Sequence, residues 1–398
     1  MFTKPGYEYF RLAKSLYNMH FVKIEQTIKK ICIFAKSILM PYYHTRYSLS
    51  RKKKKTWKKY ILLLLIITLL AAGAAAYYLN QIINSPNTWV HSGSTLIKIP
   101  HGTGYQGLLD TLYSKGIIIN RKTFERWAKL KKLDENVKPG NYRISSGMSN
   151  KELVNLLIAG LQEPVKVTIN NVRVKGDLAR ILGARLEPDS TAFMQALEDE
   201  KTAGKYGLTK ETFLTLIIPN TYEFYWTTDV EGFFDRMKAE YDKFWTEKRL
   251  QQAKEKGLTP VEVSILASIV EQETNKNDEK ARIASVYLNR LKRNWRLQAD
   301  PTVVFALQDF GIRRVLSVHL EVDSPYNTYK YEGLPPGPIC LPSIASIDAV
   351  LNAEDTDYLF FCAKDDFSGY HSFAATPRQH AANARKYRAA LNRRKIMK

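Results

Sequence analysis

A chain of 398 residues, 45% of them hydrophobic, has room for two or three domains with real cores. Its three cysteines exclude a fold that depends on a disulfide framework, and neither metal-ligand spacing nor a glycine-rich phosphate loop is present, so no cofactor is implied. The net charge of +21 is local: residues 1–59 carry 15 basic and 2 acidic side chains, and the rest is only mildly basic.

The basic segment at 1–59 leads into YILLLLIITLLAAGAAAYYL at 60–79, twenty residues without a charge. At 1.5 Å per residue such a helix crosses a hydrocarbon core. RKKKKTWKK stands immediately before it, whereas residues 80–99 contain a single lysine, Lys98. The positive-inside rule then puts residues 1–59 in the cytoplasm and everything from 80 onward outside. Flanking charge explains the basic run more simply than a nucleic-acid patch, and no nucleic-acid partner is expected. The apolar run is too long and too far from Met1 for a cleavable signal peptide, although Met40 offers a second start site. The expected topology is a single-pass anchor in the cytoplasmic (inner) membrane with an exported body. Cys340 and Cys362 fall on the exported side and could pair.

A linker at 80–94 precedes a small α/β module at 95–163. Residues 95–100 alternate like a strand, 108–116 and 121–130 read as helices, 138–144 as a turn into a strand, and Asn150 as the cap of a helix stopped by Gly160. No catalytic constellation is visible in it, and its size suits recognition. From 164 the chain is mixed. Residues 165–169 read as a strand, 177–182 and 192–197 as helix, and 231–249 as one amphipathic helix. The aromatic-rich segment IIPNTYEFYW at 217–226 fits a sugar-binding cleft or an aromatic corner of the core.

Residues 259–274 carry the strongest chemical signal. Thr259 is placed as N-cap, Pro260 as first helical residue and Glu262 as the return half of a capping box. At 100° per residue Glu273 falls on the stripe of Leu266, Ile269 and Val270, while Glu271 falls above Ser264, Ala267 and Ser268. A carboxyl at the edge of an apolar stripe is poorly solvated, which raises its pKa. A general acid near neutral pH needs that shift, about two units for a glutamic acid in an apolar pocket. Two solvated glutamates at a helix end would leave the same pattern, so these residues alone leave both readings open.

A second helix is expected over 278–293, a strand over 358–363 and a last basic helix over 377–391. Between them run LASIVEQET (266–274), ASVYLNRL (284–291), RLQADPTV (296–303), YNTY (326–329), GLPPGPI (333–339) and YHSF (370–373). In order and spacing this set closely resembles the MltG/YceG-like endolytic murein transglycosylases over about 164–395, and the module at 95–163 is similar to that family's LysM-like subdomain. The chain departs from the family pattern at Asn220, where relatives often carry Asp, and at Leu341 and Ser343, where Asn and Gly are common.

The resemblance implies an α+β chain with one transmembrane helix, a LysM-like module, and a catalytic domain at 164–395 with its glutamate on a helix. It implies Glu273 as catalytic residue and Glu271 as support. The expected reaction cuts peptidoglycan between N-acetylmuramic acid and N-acetylglucosamine, with the muramyl 6-hydroxyl closing on its own C1 to leave a 1,6-anhydro end. One carboxyl suffices for this, whereas a hydrolase needs two. Gln298, Asn327 and Tyr329 are assigned to positioning sugar groups and Asp300 to orienting the loop or the glutamate, though each fits a buried loop-former equally well. A muramidase using Asp300 as second carboxylate, and a non-catalytic wall-binding scaffold, remain as alternatives. Glycan strands, the membrane, and peptidoglycan synthases of the elongation machinery are the expected partners.

Overall fold

The computed structural model describes residues 56–394 together with Lys29, Lys30 and Ile33. The rest of the basic segment at 1–59, the lysine run at 52–55 included, lies outside the described residues. The chain divides into two compact units, with the boundary between Pro164 and Val165.

The first unit opens with α1 (Thr56–Asn84). It contains the one described helix long and apolar enough to cross a membrane, over Trp57–Asn84. The alternating segment forms β1 (Ser94–Ile99), followed by α2 (Tyr105–Ser114) and α3 (Arg121–Leu130), then β2 (Gly140–Ser145) and α4 (Asn150–Ala159). β1 and β2 pair antiparallel, with Ile97 opposite Tyr142. Ile97, Ile99, Leu108, Leu112, Phe124, Tyr142 and Leu153 form a solvent-free core beneath that ribbon. The cap of α4 is Ser149, in a capping box with Glu152, and not Asn150 as the sequence suggested. Asn150 is buried instead: it donates to the Ile82 carbonyl at 2.8 Å and accepts from Asn87 at 2.6 Å, tying the end of α1 to the module. Gly160 ends the helix in the left-handed conformation, as read.

The second unit begins with β3 (Val165–Ile169), α5 (Lys175–Gly183), α6 (Ser190–Glu198) and α7 (Glu200–Lys205). Then come β4 (Asn220–Phe224), antiparallel to β3, and α8 (Val230–Phe244) and α9 (Glu247–Glu255). The single helix expected over 231–249 is therefore two, because Thr246 turns its hydroxyl to the Arg249 N–H and caps a new start. The aromatic segment proves to be core: Tyr222 and Phe224 pack with Phe233, Phe213 and Leu216, and of its aromatic side chains only Tyr225 is largely exposed. A sugar-lining role for that segment is overturned by this burial.

The C-terminal half of the unit is α10 (Pro260–Glu273), α11 (Asn277–Lys292), α12 (Asp300–Leu307) and α13 (Ile344–Leu351), closed by β5 (Phe360–Ala363), β6 (His371–Ala374) and α14 (Pro377–Arg393). α10 is buried on every side from Val263 to Val270, with Leu266, Ile269 and Val270 against Ile283, Tyr287, Ile347 and Val350. α12 was not foreseen; its start lies inside the polar stretch that the sequence presented as turn residues. Cys340 and Cys362 are both free thiols.

Candidate active site

The C-terminus of α10 delivers the two glutamates to different neighbours. Its start is fixed as read: Thr259 Oγ1 accepts from the Glu262 N–H at 3.2 Å, and Glu262 returns a bond to the Thr259 N–H at 2.8 Å. With the helix phase set there, and ten residues separating Glu262 from the tip, the faces of Glu271 and Glu273 follow from the helical repeat.

Glu271 is enclosed by donors. Its Oε2 accepts from the buried Lys280 ammonium at 3.1 Å and the Ser343 hydroxyl at 2.5 Å, and also from the Ser346 hydroxyl. Burial raises its pKa, but the two hydroxyls and the ammonium outweigh burial and hold it below the ordinary glutamate value. It is an ionised anchor joining α10, α11 and the start of α13. Ser343 is both N-cap of α13 and donor to Glu271.

Glu273 faces a cavity of about 600 Å³, with Gln272, Thr274, Tyr370, His371 and Tyr387 also in its walls. Its Oε1 accepts a 2.5 Å hydrogen bond from the Tyr287 hydroxyl on α11. Burial raises its pKa to about 7; the Tyr287 hydroxyl and the Arg290 charge oppose that rise, and Asp300 adds to it. Protonated and ionised forms are thus both accessible near neutral pH, as a group that first gives and then takes a proton requires.

Arg290 is buried beside this pair, donating to the carbonyls of Leu359 at 2.8 Å and Leu297 at 2.5 Å. It therefore pins the loop that carries the next residues. Gln298 is exposed, has left-handed backbone (φ 49°), and gives its N–H to the Thr328 carbonyl at 3.0 Å. Asp300 starts α12 and accepts from the Tyr329 hydroxyl at 2.5 Å. Asn327 has no exposure: its amide donates to the carbonyls of Leu320 and Val322, and its oxygen accepts from the Tyr329 N–H. Of the two readings open for Asn327, the geometry is that of a loop-former. Asn220 is exposed at the start of β4, opposite Ile169, and accepts from the Thr221 N–H. Among the described residues no hydrogen bond or ion pair links it to Glu273.

Sequence reasoning missed Lys280, Tyr287, Arg290, Ser343 and Ser346. Tyr287 and Arg290 lie in the ASVYLNRL motif at a three-residue interval, which marks one helix face, but the sequence could not say what that face meets. Among the described residues no group of three His, Cys, Asp or Glu could hold a metal ion.

Comparison with known proteins bears on this geometry. The YceG-like family matches the chain over residues 97–386. The endolytic murein transglycosylase of Bacillus subtilis (strain 168) is 28% identical over 312 residues, covering 74% of this chain and 85% of the relative. That of Streptococcus pneumoniae (serotype 2, strain D39) is 29% identical over 318 residues, covering 72% of this chain. The match spans only 57% of the pneumococcal relative's length. A crystal structure of a yceG-like protein from Listeria monocytogenes has a TM-score of 0.50 and 28% identity, covering 73% of this chain and 99% of that one.

Proposed function

This chain belongs to the YceG-like family, and we propose that it is an endolytic peptidoglycan transglycosylase acting through Glu273. The observation that carries the reading is a desolvated carboxyl, raised to about 7, at the wall of a cavity large enough for a sugar residue.

In the first step the Glu273 carboxylic acid protonates the glycosidic oxygen, and the bond from muramyl C1 to that oxygen breaks. In the second the muramyl 6-hydroxyl oxygen bonds to C1 and its proton passes to the Glu273 carboxylate. The glutamate ends as it began, and the products are a 1,6-anhydromuramyl end and a free 4-hydroxyl. No second titrating carboxyl is required. This fits a site in which Glu271 is locked by Lys280 and two serines and Asp300 is engaged by Tyr329. Tyr287 holds the Glu273 carboxyl in one orientation for both transfers. Gln298, which is exposed, and the half-buried Tyr329 have the exposure needed to meet sugar hydroxyls or acetamido groups.

The apolar α1 supports a single-pass anchor with the catalytic unit on the extracytoplasmic face. Residues 95–163 would then serve as a LysM-like recognition module, and a tethered enzyme would meet nascent strands beside membrane-bound synthases. The test is digestion of isolated glycan strands by the full chain in detergent. Internal cuts by the wild type and none by Glu273→Gln support the reading; equal cutting by both overturns it.

A further inference from the structure

The YHSF motif leaves a histidine whose setting the acid chemistry of Glu273 does not explain. His371 opens β6 and lines the same cavity as Glu273. Its backbone N–H donates to Glu279 Oε1 at 2.7 Å, and its Nδ1 lies 2.7 Å from Glu279 Oε2. Glu279 is only 2% exposed, in the first turn of α11, while the His371 side chain keeps 15% exposure. The neighbouring pair repeats the arrangement, with the Tyr370 hydroxyl donating to Asp278 at 3.0 Å. Phe361 packs edge-on against the imidazole at 5.3 Å between centroids. The ring is thus fixed by a carboxylate behind it and an aromatic face beside it.

A peptide N–H can only donate, so Glu279 acts as acceptor at Oε1 and, in the same role at Oε2, accepts a hydrogen bond from Nδ1–H. In the tautomer that keeps its proton on Nδ1, the ring carries a lone pair on Nε2, its one remaining polar atom. Among the described residues Nε2 has no hydrogen-bond partner. We infer that His371, oriented by Glu279, is a positioning residue whose Nε2 accepts a hydrogen bond from a hydroxyl or acetamido N–H of the sugar bound beside Glu273. The inference rests on the cavity being the glycan site and adds what holds the ring relative to the acid. Displacement of the reacting atoms by about 1 Å costs on the order of 100-fold, so one such bond matters to rate.

Two substitutions separate this role from a structural one. His371→Asn keeps an amide N–H where Nδ1 donates to Glu279 but removes the atom at Nε2. His371→Gln reaches the Nε2 position but gives up the Nδ1 donor. In the full chain in detergent, His371→Asn is expected to melt close to wild type while kcat/KM falls roughly 10–100-fold. His371→Gln should recover part of that activity despite a lower melting temperature. Binding of short glycan oligosaccharides to chains carrying Glu273→Gln, with and without His371→Asn, should weaken by a similar factor. Wild-type turnover and affinity in His371→Asn would overturn the inference, as would activity that simply follows melting temperature across both variants. Should Glu273→Gln itself retain cleavage, the acid assignment falls, while the binding comparison still decides His371.

Discussion

Replacing Glu273 with glutamine separates what the buried carboxyl does for catalysis from what it costs the fold. Glutamine keeps the oxygen that accepts from Tyr287 but cannot ionise, so it stands in permanently for the protonated acid. Below pH 4.5 the wild-type carboxyl is protonated in folded and unfolded chains alike, and the two proteins should be equally stable. Above 4.5 the unfolded chain releases its proton while the folded chain holds it to about 7, so wild-type stability falls across that window and levels off beyond it. A difference between 4.5 and about 7, at 1.36 kcal/mol per unit and reduced for partial contact with the cavity, gives about 2–3 kcal/mol. For a unit of this size that is roughly 4–10 °C in melting temperature. Calorimetry of the full chain in detergent should therefore show Glu273→Gln melting above wild type at about pH 8 and together with it at about pH 4, although glycan cleavage falls by roughly 10²–10⁴-fold or more at both. A variant no more stable than wild type at about pH 8, or a gap that does not close in acid, would refute the burial argument.

Tyr287→Phe removes a donor that favours ionised Glu273, so the alkaline limb of the pH–activity profile should move above about 7; a limb that moves down contradicts the assignment. Lys280→Met leaves the Glu271 carboxylate with two serine hydroxyls and the Ser343 N–H but no cation, and should cost about 2–4 kcal/mol, read as a lower melting temperature; an unchanged transition would mean that the ion pair is not holding the three helices. Gly337→Ala would set a Cβ 2.2 Å from the Glu211 carbonyl oxygen, so the GLPPGPI loop must shift, at about 1–3 kcal/mol. A melting temperature equal to wild type would show that the loop gives way freely.

Local rules carried the reading of α10. Its cap, proline and capping box are all within four residues, and its helical repeat fixes which face each glutamate takes. The same locality explains the strand at 165–169, the helix at 121–130 and the glycine stop at 160. What failed needed partners distant in sequence. Ser343 and Ser346 reach Glu271 across 72 and 75 residues, and nothing near either serine announces it. The aromatic segment looked equally suited to a cleft or a core, because only the packing of Phe213 and Phe233 against it decides which. Asn150 has the chemistry of a cap, but Ser149 does too, and the buried partners Ile82 and Asn87 claimed the asparagine. The site was thus legible where one helix wrote it and illegible where loops and later helices complete it.

The central claim is that the muramyl 6-hydroxyl, and not water, completes the reaction begun by Glu273. It is tested most directly by digesting glycan strands in heavy-oxygen water and weighing the new ends by mass spectrometry, with Glu273→Gln alongside. The account predicts unlabelled 1,6-anhydromuramyl ends from the wild type and intact strands from the variant. Labelled reducing ends would contradict it by making the chain a hydrolase, and anhydro ends from both proteins would move the chemistry away from Glu273.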